Sequence, residues 1–293
     1  MRWGFFGIAL FLLAASAAPA ASSDTVGAVT TALDAHHFDM AIKFATEGLA
    51  ASDISEDDKT KLHFARGCAY LFSGQDKEAI DDLTFTIVNG ATDSVDQRKA
   101  MGAANYFRGL AYLDLSRNDD ALADFKTAIK DDPTDPDFEY GCGSAYYSMG
   151  KSDEAIACYS EAIRLKPAYA EAFAYRGENF QNKKEWDKAL ADYTEAIRLQ
   201  PDYAMAYNDR GTVYLATNRL PEALAELDKA ASLDSTEPFV FMNRAEVHKA
   251  LHHWQLAIDD LNKALSLVKD AKSQESIRDE IAKLQAELAK TPK

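Results

Sequence analysis

Residues 170–203 read AEAFAYRGENFQNKKEWDKALADYTEAIRLQPDY. Shifted by 34 residues, this stretch meets itself. Gly177 falls on Gly211 ahead and on Gly143 and Gly109 behind, while Ala189 falls on Ala155 and Ala121 behind and on Ala223 and Ala257 ahead. A fixed period of this length indicates a solenoid of stacked helical hairpins. Each unit of such an array packs on its neighbours alone, so a chain of 293 residues needs no single large core.

The register extends outward in both directions. Units are expected at 102–135, 136–169, 170–203, 204–237 and 238–271. A further unit at 60–93 carries Gly67 and Ala79 as its small residues and Tyr70 as its ring. The extra residues before the next unit fall in Asn89–Lys99, NGATDSVDQRK, a polar stretch that reads as turn. A degenerate unit is visible at 22–53, where His37, Phe38, Ala41 and Leu49 fit the pattern but the first helix lacks the Gly and the Tyr. Residues 272–290 read as one more helix: Ile277, Ile281, Leu284 and Leu288 share a face, which would cover the open end of the stack.

The internal positions are specific. A small residue stands twelve places before an alanine in the pairs Gly67/Ala79, Gly109/Ala121, Gly143/Ala155, Gly177/Ala189, Gly211/Ala223 and Ala245/Ala257. Three residues after the small one comes a ring: Tyr70, Tyr112, Tyr146, Phe180, Tyr214 or His248. Four residues after the alanine comes a packing residue: Leu83, Phe125, Tyr159, Tyr193, Leu227 or Leu261. Taken together these positions resemble the tetratricopeptide repeat family. The resemblance implies an all-α, right-handed superhelical solenoid of antiparallel helix-turn-helix hairpins with a C-terminal capping helix. It also implies a non-catalytic scaffold that binds proteins.

Composition narrows the partners. The net charge is −15, which argues against phosphate-backbone binding and against anionic lipid heads, and favours basic partners. Arg2, the apolar run Trp3–Ala18 and the small-x-small pattern Ala18-Pro19-Ala20 read as a signal peptide over residues 1–20. The run is short for a membrane span, so no membrane insertion is expected after cleavage. The expected location is secreted, in a bacterial periplasm.

No nucleophile elbow, zinc-protease motif, Walker loop or dinucleotide fingerprint occurs, so no catalytic residue, cofactor or metal is assigned. His248 and His252 lie four apart, as two metal ligands could. However, His248 fills the slot that holds an interior ring elsewhere, and His252 and His253 fall in a turn, as His36 and His37 do in the first unit.

The functional candidate is the inner surface. In the family resembled, the first helix of each hairpin lines a concave groove that takes a peptide or a helix of a client protein. On that basis the groove residues are Phe64, Tyr106, Phe107, Tyr140, Tyr147, Tyr175, Asn208 and Asn243, with Glu178, Gln181, Asp209 and Thr212 beside them. Rings anchor partners at low entropic cost, and amides bond an extended backbone. The basic clamp of co-chaperone repeats is missing, because its positions hold Phe64, Tyr106, Tyr140, Ala174 and Asn208. A self-associating assembly subunit and a secretory-pathway co-chaperone are the alternatives.

Two further positions change together. Arg66, Arg108, Arg176, Arg210 and Arg244 precede the small residue, and Asp82, Asp124, Asp192, Glu226 and Asp260 follow the alanine by three. In the unit at 136–169 the same positions hold Cys142 and Cys158. The two positions are therefore expected to face each other across the hairpin, with an ion pair in five units and a candidate disulfide in the sixth. Whether the cysteines bond depends on a reach that suits arginine better than sulfur.

Overall fold

The computed structural model describes residues 21–290, and the leader expected at 1–20 lies outside them. The described residues form fifteen α-helices and no strand. No helix among them is long and apolar enough to cross a membrane.

The chain divides into two compact units, Met1–Leu165 and Lys166–Lys293. The first holds four hairpins: α1 (Ala21–Asp34) with α2 (Phe38–Leu49), α3 (Glu56–Phe72) with α4 (Asp76–Asn89), α5 (Val95–Asp114) with α6 (Asn118–Asp131), and α7 (Pro136–Ser148) with α8 (Ser152–Leu165). The second holds three: α9 (Ala170–Asn182) with α10 (Trp186–Leu199), α11 (Ala204–Ala216) with α12 (Leu220–Leu233), and α13 (Pro238–Ala250) with α14 (Trp254–Leu267). A last helix, α15 (Ala271–Lys290), follows α14.

One turn closes all seven hairpins. Its central residue takes a positive φ: His36, Gly74, Ser116, Gly150, Lys184, Asn218 and His252. The next residue donates its backbone N–H to the carbonyl five positions back, as from Arg117 to Tyr112 and from Arg219 to Tyr214, both at 2.8 Å. This left-handed C-cap satisfies the last carbonyls of the first helix. The donor residue then serves as N-cap of the second helix, as Arg117 and Arg219 do. His252 thus has a conformational part in its turn, at the place where Gly74 and Gly150 stand elsewhere.

The second helices bury a narrow stripe at helical spacing. In α10 this is Ala189, Asp192, Tyr193 and Ala196. The packing residue of each stripe meets the small residue of its partner helix. Phe125 on α6 is fully buried and lies between two glycines, Gly109 on α5 and Gly141 on α7. A Cβ at either would stand 2.8 Å and 2.7 Å, respectively, from its ring. Only glycine admits so close an approach of two helices to one ring.

Within each unit the first helices also touch one another: α1 with α3, α3 with α5 and α5 with α7 in the first, and α9 with α11 and α11 with α13 in the second. The second helices make no comparable contact with each other. The first helices therefore form a layer of their own in each unit. At the C-terminal end, Ile277, Ile281 and Leu284 of α15 join Phe241, Ile258 and Leu261 in one buried cluster.

The stretch Asn89–Lys99 is not all turn. Helix α5 begins at Val95 because Ser94 and Gln97 form a capping box. The Ser94 hydroxyl accepts from the Gln97 N–H at 3.1 Å, and the Gln97 side chain accepts from the Ser94 N–H at 3.0 Å. Part of the extra length between these units therefore extends the first helix of the hairpin, which runs to 20 residues.

Candidate protein-binding face

The structure separates the eight residues assigned to the groove. Phe64, Tyr106, Phe107, Tyr140 and Tyr175 are buried, Tyr106 and Phe107 completely. Tyr106 lies 5.4 Å from Phe107, 5.2 Å from Phe138 and 5.7 Å from Phe125, centroid to centroid, and Phe64 lies 5.9 Å from Phe107. These five residues on α3 and α5–α7 are the interior of the first unit, so Phe64, Tyr106 and Phe107 pack its helices together and do not present rings to a partner. Tyr140 packs against Tyr159 at 5.6 Å. Tyr147, Asn208 and Asn243 are half-buried and keep solvent access.

The accessible chemistry lies on the first helices of the second unit, where Asn243 on α13 donates its side-chain N–H to the Asn208 carbonyl oxygen on α11 at 2.9 Å. Asn208 in turn donates to the Asp209 carboxylate at 3.0 Å. On α9, Gln181 donates to the Thr212 hydroxyl at 3.2 Å and accepts from the Tyr193 hydroxyl at 2.9 Å. The Asn243–Asn208 and Gln181–Thr212 bonds run from repeat to repeat, and all four bonds fix the amides in orientation.

Charge gathers beside the amides. Burial pushes the Asp209 carboxyl up to about 7; Glu178 adds to the rise and the hydrogen bond from Asn208 opposes it. The Tyr203 phenol is pushed up by burial, and further by Tyr175, Glu171, Asp209 and Glu178. Three carboxylates and two tyrosine rings thus share one neighbourhood. Carboxylates and aromatic faces both attract a desolvated cation. Asp209 has a neutral amide for its hydrogen-bond partner, whereas Asp82, Asp124, Asp192, Glu226 and Asp260 on the second helices each have an arginine.

Those arginine pairs are present in all five hairpins that carry them. Arg66, Arg108, Arg176 and Arg244 each grip their aspartate with two nitrogens, and one nitrogen of Arg210 bonds both oxygens of Glu226. The aspartates are buried, between 5% and 6% exposed. At Asp82, burial alone would raise the carboxyl, but hydrogen bonds from Arg66 and His63 outweigh it and hold the group below its usual range. A third arm escapes the pairwise reading of the sequence. Arg66, Arg108 and Arg210 also donate to Thr46, Thr84 and Thr194, and Arg244 donates to Asp228, all on the second helix of the preceding hairpin. The signal for it is a hydroxyl or acid at one register position, Thr84, Thr194 and Asp228 each two residues beyond the acid of their hairpin and Thr46 two beyond Phe44.

Cys142 and Cys158 do face each other across the α7–α8 hairpin. Both are free thiols, and the Cys158 Sγ donates to the Cys142 Sγ at 2.8 Å. With Glu139 they form the one group of three potential metal ligands found among the described residues, their ligand atoms within 4.8 Å of one another. His248 is buried in its ring slot, where burial lowers its pKa; His252 and His253 are exposed in the turn.

Comparison with known proteins agrees with this architecture. Residues 109–150 and 143–183 match a family model described as TPR repeat, and residues 176–238 match one described as tetratricopeptide repeat. Residues 109–238 therefore match tetratricopeptide repeats. A tetratricopeptide repeat protein from Parabacteroides merdae superposes with a TM-score of 0.65 at 14% identity, over 87% of this chain and 96% of that one. Yeast Tom70 superposes with a TM-score of 0.56 at 18% identity, over 97% and 70%. YrrB, described as a TPR protein with an unusual peptide-binding site, gives 0.51 at 19% identity, over 67% and 95%. At these identities the likeness shows the fold. No curated protein matches the chain. Tetratricopeptide repeat folds are in general non-enzymatic interaction scaffolds, and they bind protein or peptide partners.

Proposed function

We propose that this protein is an exported, non-catalytic scaffold that binds an extended, basic segment of a client protein on the first-helix layer of its second unit. The observation that carries the reading is the bonded row Asn243–Asn208–Asp209, set beside Glu178, Tyr175 and Tyr203. Oriented amides offer donors and acceptors to a peptide backbone. The carboxylates and the half-buried Tyr203 ring offer a seat to a lysine or arginine side chain, which would replace unfavourable acid–acid repulsion with a paired charge. The overall charge of −15 steers the same class of partner. The peptide-binding site named for YrrB supports a similar use of the fold.

Export rests on the leader pattern of residues 1–20, and a bacterial cell envelope is the setting in which such a scaffold would bring clients together. The test is a panel of fluorescent peptides of equal length, basic, neutral and acidic, titrated with the protein at low and physiological salt. Basic peptides should bind best, with affinity that falls as salt rises. Asn208→Ala with Asn243→Ala should weaken binding about tenfold, the loss of one or two hydrogen bonds to the peptide. Equal binding of acidic and basic peptides would sink the reading. A stable oligomer without affinity for any peptide would favour the self-associating subunit.

A further inference from the structure

The α7–α8 hairpin departs from the arginine pattern at three places together. Cys142 stands where five of the other hairpins have arginine, and Cys158 stands where those five have a carboxylate. On α6, which packs on α7, Lys126 stands at the position from which Thr46 and Thr84 accept the third arm in the first unit. The cation has moved to the preceding hairpin, and two thiols occupy the space it left. They are 3% and 9% exposed, and their sulfurs are 2.8 Å apart.

We propose that Cys142 and Cys158 are an oxidation site: thiol–disulfide exchange with a low-molecular-weight disulfide joins them across the hairpin and reversibly locks α7 to α8. A disulfide is about 2.05 Å long, so the sulfurs need to close by less than about 1 Å. Small side-chain rotations supply that without a shift of either helix. The sister hairpins are held without a covalent bond, so reduction leaves this one folded. The remaining cysteine, Cys68, is fully buried on α3, so a small disulfide has no access to its sulfur, which keeps it out of the exchange.

The more exposed Cys158 is the entry point. Its hydrogen bond with Cys142 and its burial hold the thiol well above its usual range, and Glu139 adds to this; Lys126 opposes it. Exchange is therefore slow near neutrality and speeds up as pH rises. Cys158 loses its proton to solvent, and its thiolate attacks one sulfur of the small disulfide, whose S–S bond breaks and releases one thiolate. The Cys142 thiolate, formed in the same way, then attacks the Cys158 sulfur. The mixed S–S bond breaks, the second small thiolate leaves and the protein disulfide remains. The two cysteines give up two electrons and two protons, and the small disulfide becomes two thiols.

The full chain, reduced and desalted, is incubated with glutathione disulfide, then unfolded without reductant for thiol counting and peptide mapping. One free thiol and a Cys142–Cys158 cross-linked peptide are expected, and reductant should restore all three thiols. Oxidation should raise the thermal midpoint of the first unit by a few degrees. Lys126→Met should slow the exchange and Glu139→Gln should speed it. The double variant Cys142→Arg with Cys158→Asp restores the sister-hairpin pair; it should keep one thiol throughout and show no midpoint shift on oxidation. Three thiols after oxidation, or glutathione left on single cysteines without a cross-link, would overturn the proposal. So would a Zn²⁺ complex of the reduced protein that requires Glu139 and blocks oxidation, since that result would make the cluster a metal site.

Discussion

The guanidinium of Arg108 holds the carboxylate of Asp124 at 2.7 Å through Nε and 2.8 Å through Nη2, while its Nη1 reaches Thr84 at 2.9 Å. One side chain on α5 thereby ties the second helix of its own hairpin to the second helix of the hairpin before. Arg66, Arg210 and Arg244 repeat the arrangement. A solenoid whose hairpins touch only their neighbours gains from such a device, because helix packing alone leaves the register between hairpins to apolar contacts.

The consequence for Asp124 is large. It is 6% exposed, so its removal leaves the part-buried guanidinium of Arg108 without its counter-charge. Breaking a buried pair from one side costs about 3–5 kcal/mol, whereas replacing both members with apolar residues is often close to neutral. Asp124→Ala should therefore lower the urea midpoint far more than Arg108→Leu combined with Asp124→Leu. Equal losses in the two variants would show that the pair behaves as a surface contact.

The hairpin architecture was legible because glycine, ring and alanine recur at fixed offsets, and each offset has a packing reason. The pairing of Arg108 with Asp124 was legible for another reason: both positions change to cysteine together at 142 and 158. The third arm to Thr84 was harder to see, since threonine at a helix surface is common and one hydrogen bond leaves no periodic apolar trace. The groove was read least well. A ring at helical spacing on a first helix faces either an open surface or the next hairpin, and sequence spacing is the same in both cases. Tyr106 and Phe107 took the second course, and the amides Asn208 and Asn243, which avoid burial without partners, kept the first.

Phe125 offers a test of that packing. Gly141→Ala places a Cβ 2.7 Å from the ring, which no relaxed structure tolerates. Overpacking of this kind costs about 1–3 kcal/mol. Adding Phe125→Leu should recover part of the loss by freeing space. As a control, a Cβ at Gly27 on α1 meets nothing within 4 Å. Gly27→Ala should stabilise the protein by about 0.5–1 kcal/mol through helix propensity. Denaturant curves of the four proteins decide the matter, and a neutral Gly141→Ala would contradict the close approach.

The leader reading has a direct check. The pattern Ala18-Pro19-Ala20 places cleavage after Ala20, so the exported protein should begin at Ala21. Intact-mass measurement on fractionated cells reads this at once. A protein that keeps Met1 in the exported fraction would be anchored, and the proposed soluble scaffold would have to be abandoned.

Asp209 links stability to binding. Its carboxyl titrates at about 7 in the folded protein, against 3.8 for the ordinary group. A group raised by folding contributes stability that is fully present below its unfolded value and is lost as pH rises through the folded one. The parent protein should therefore lose stability between about pH 4 and pH 7 on account of this residue. Asp209→Asn removes the titrating group and keeps the shape. Its thermal midpoint should exceed the parent's at pH 8, and the difference should shrink as pH falls toward 4. Most substitutions at half-buried positions destabilise, so a gain is a specific signature of a residue held in place for function. The same variant should bind basic peptides about tenfold more weakly at pH 8, because an amide offers no charge to the incoming cation. A variant less stable than the parent at pH 8 would show that Asp209 is a structural acid. Unchanged peptide affinity would remove it from the binding face.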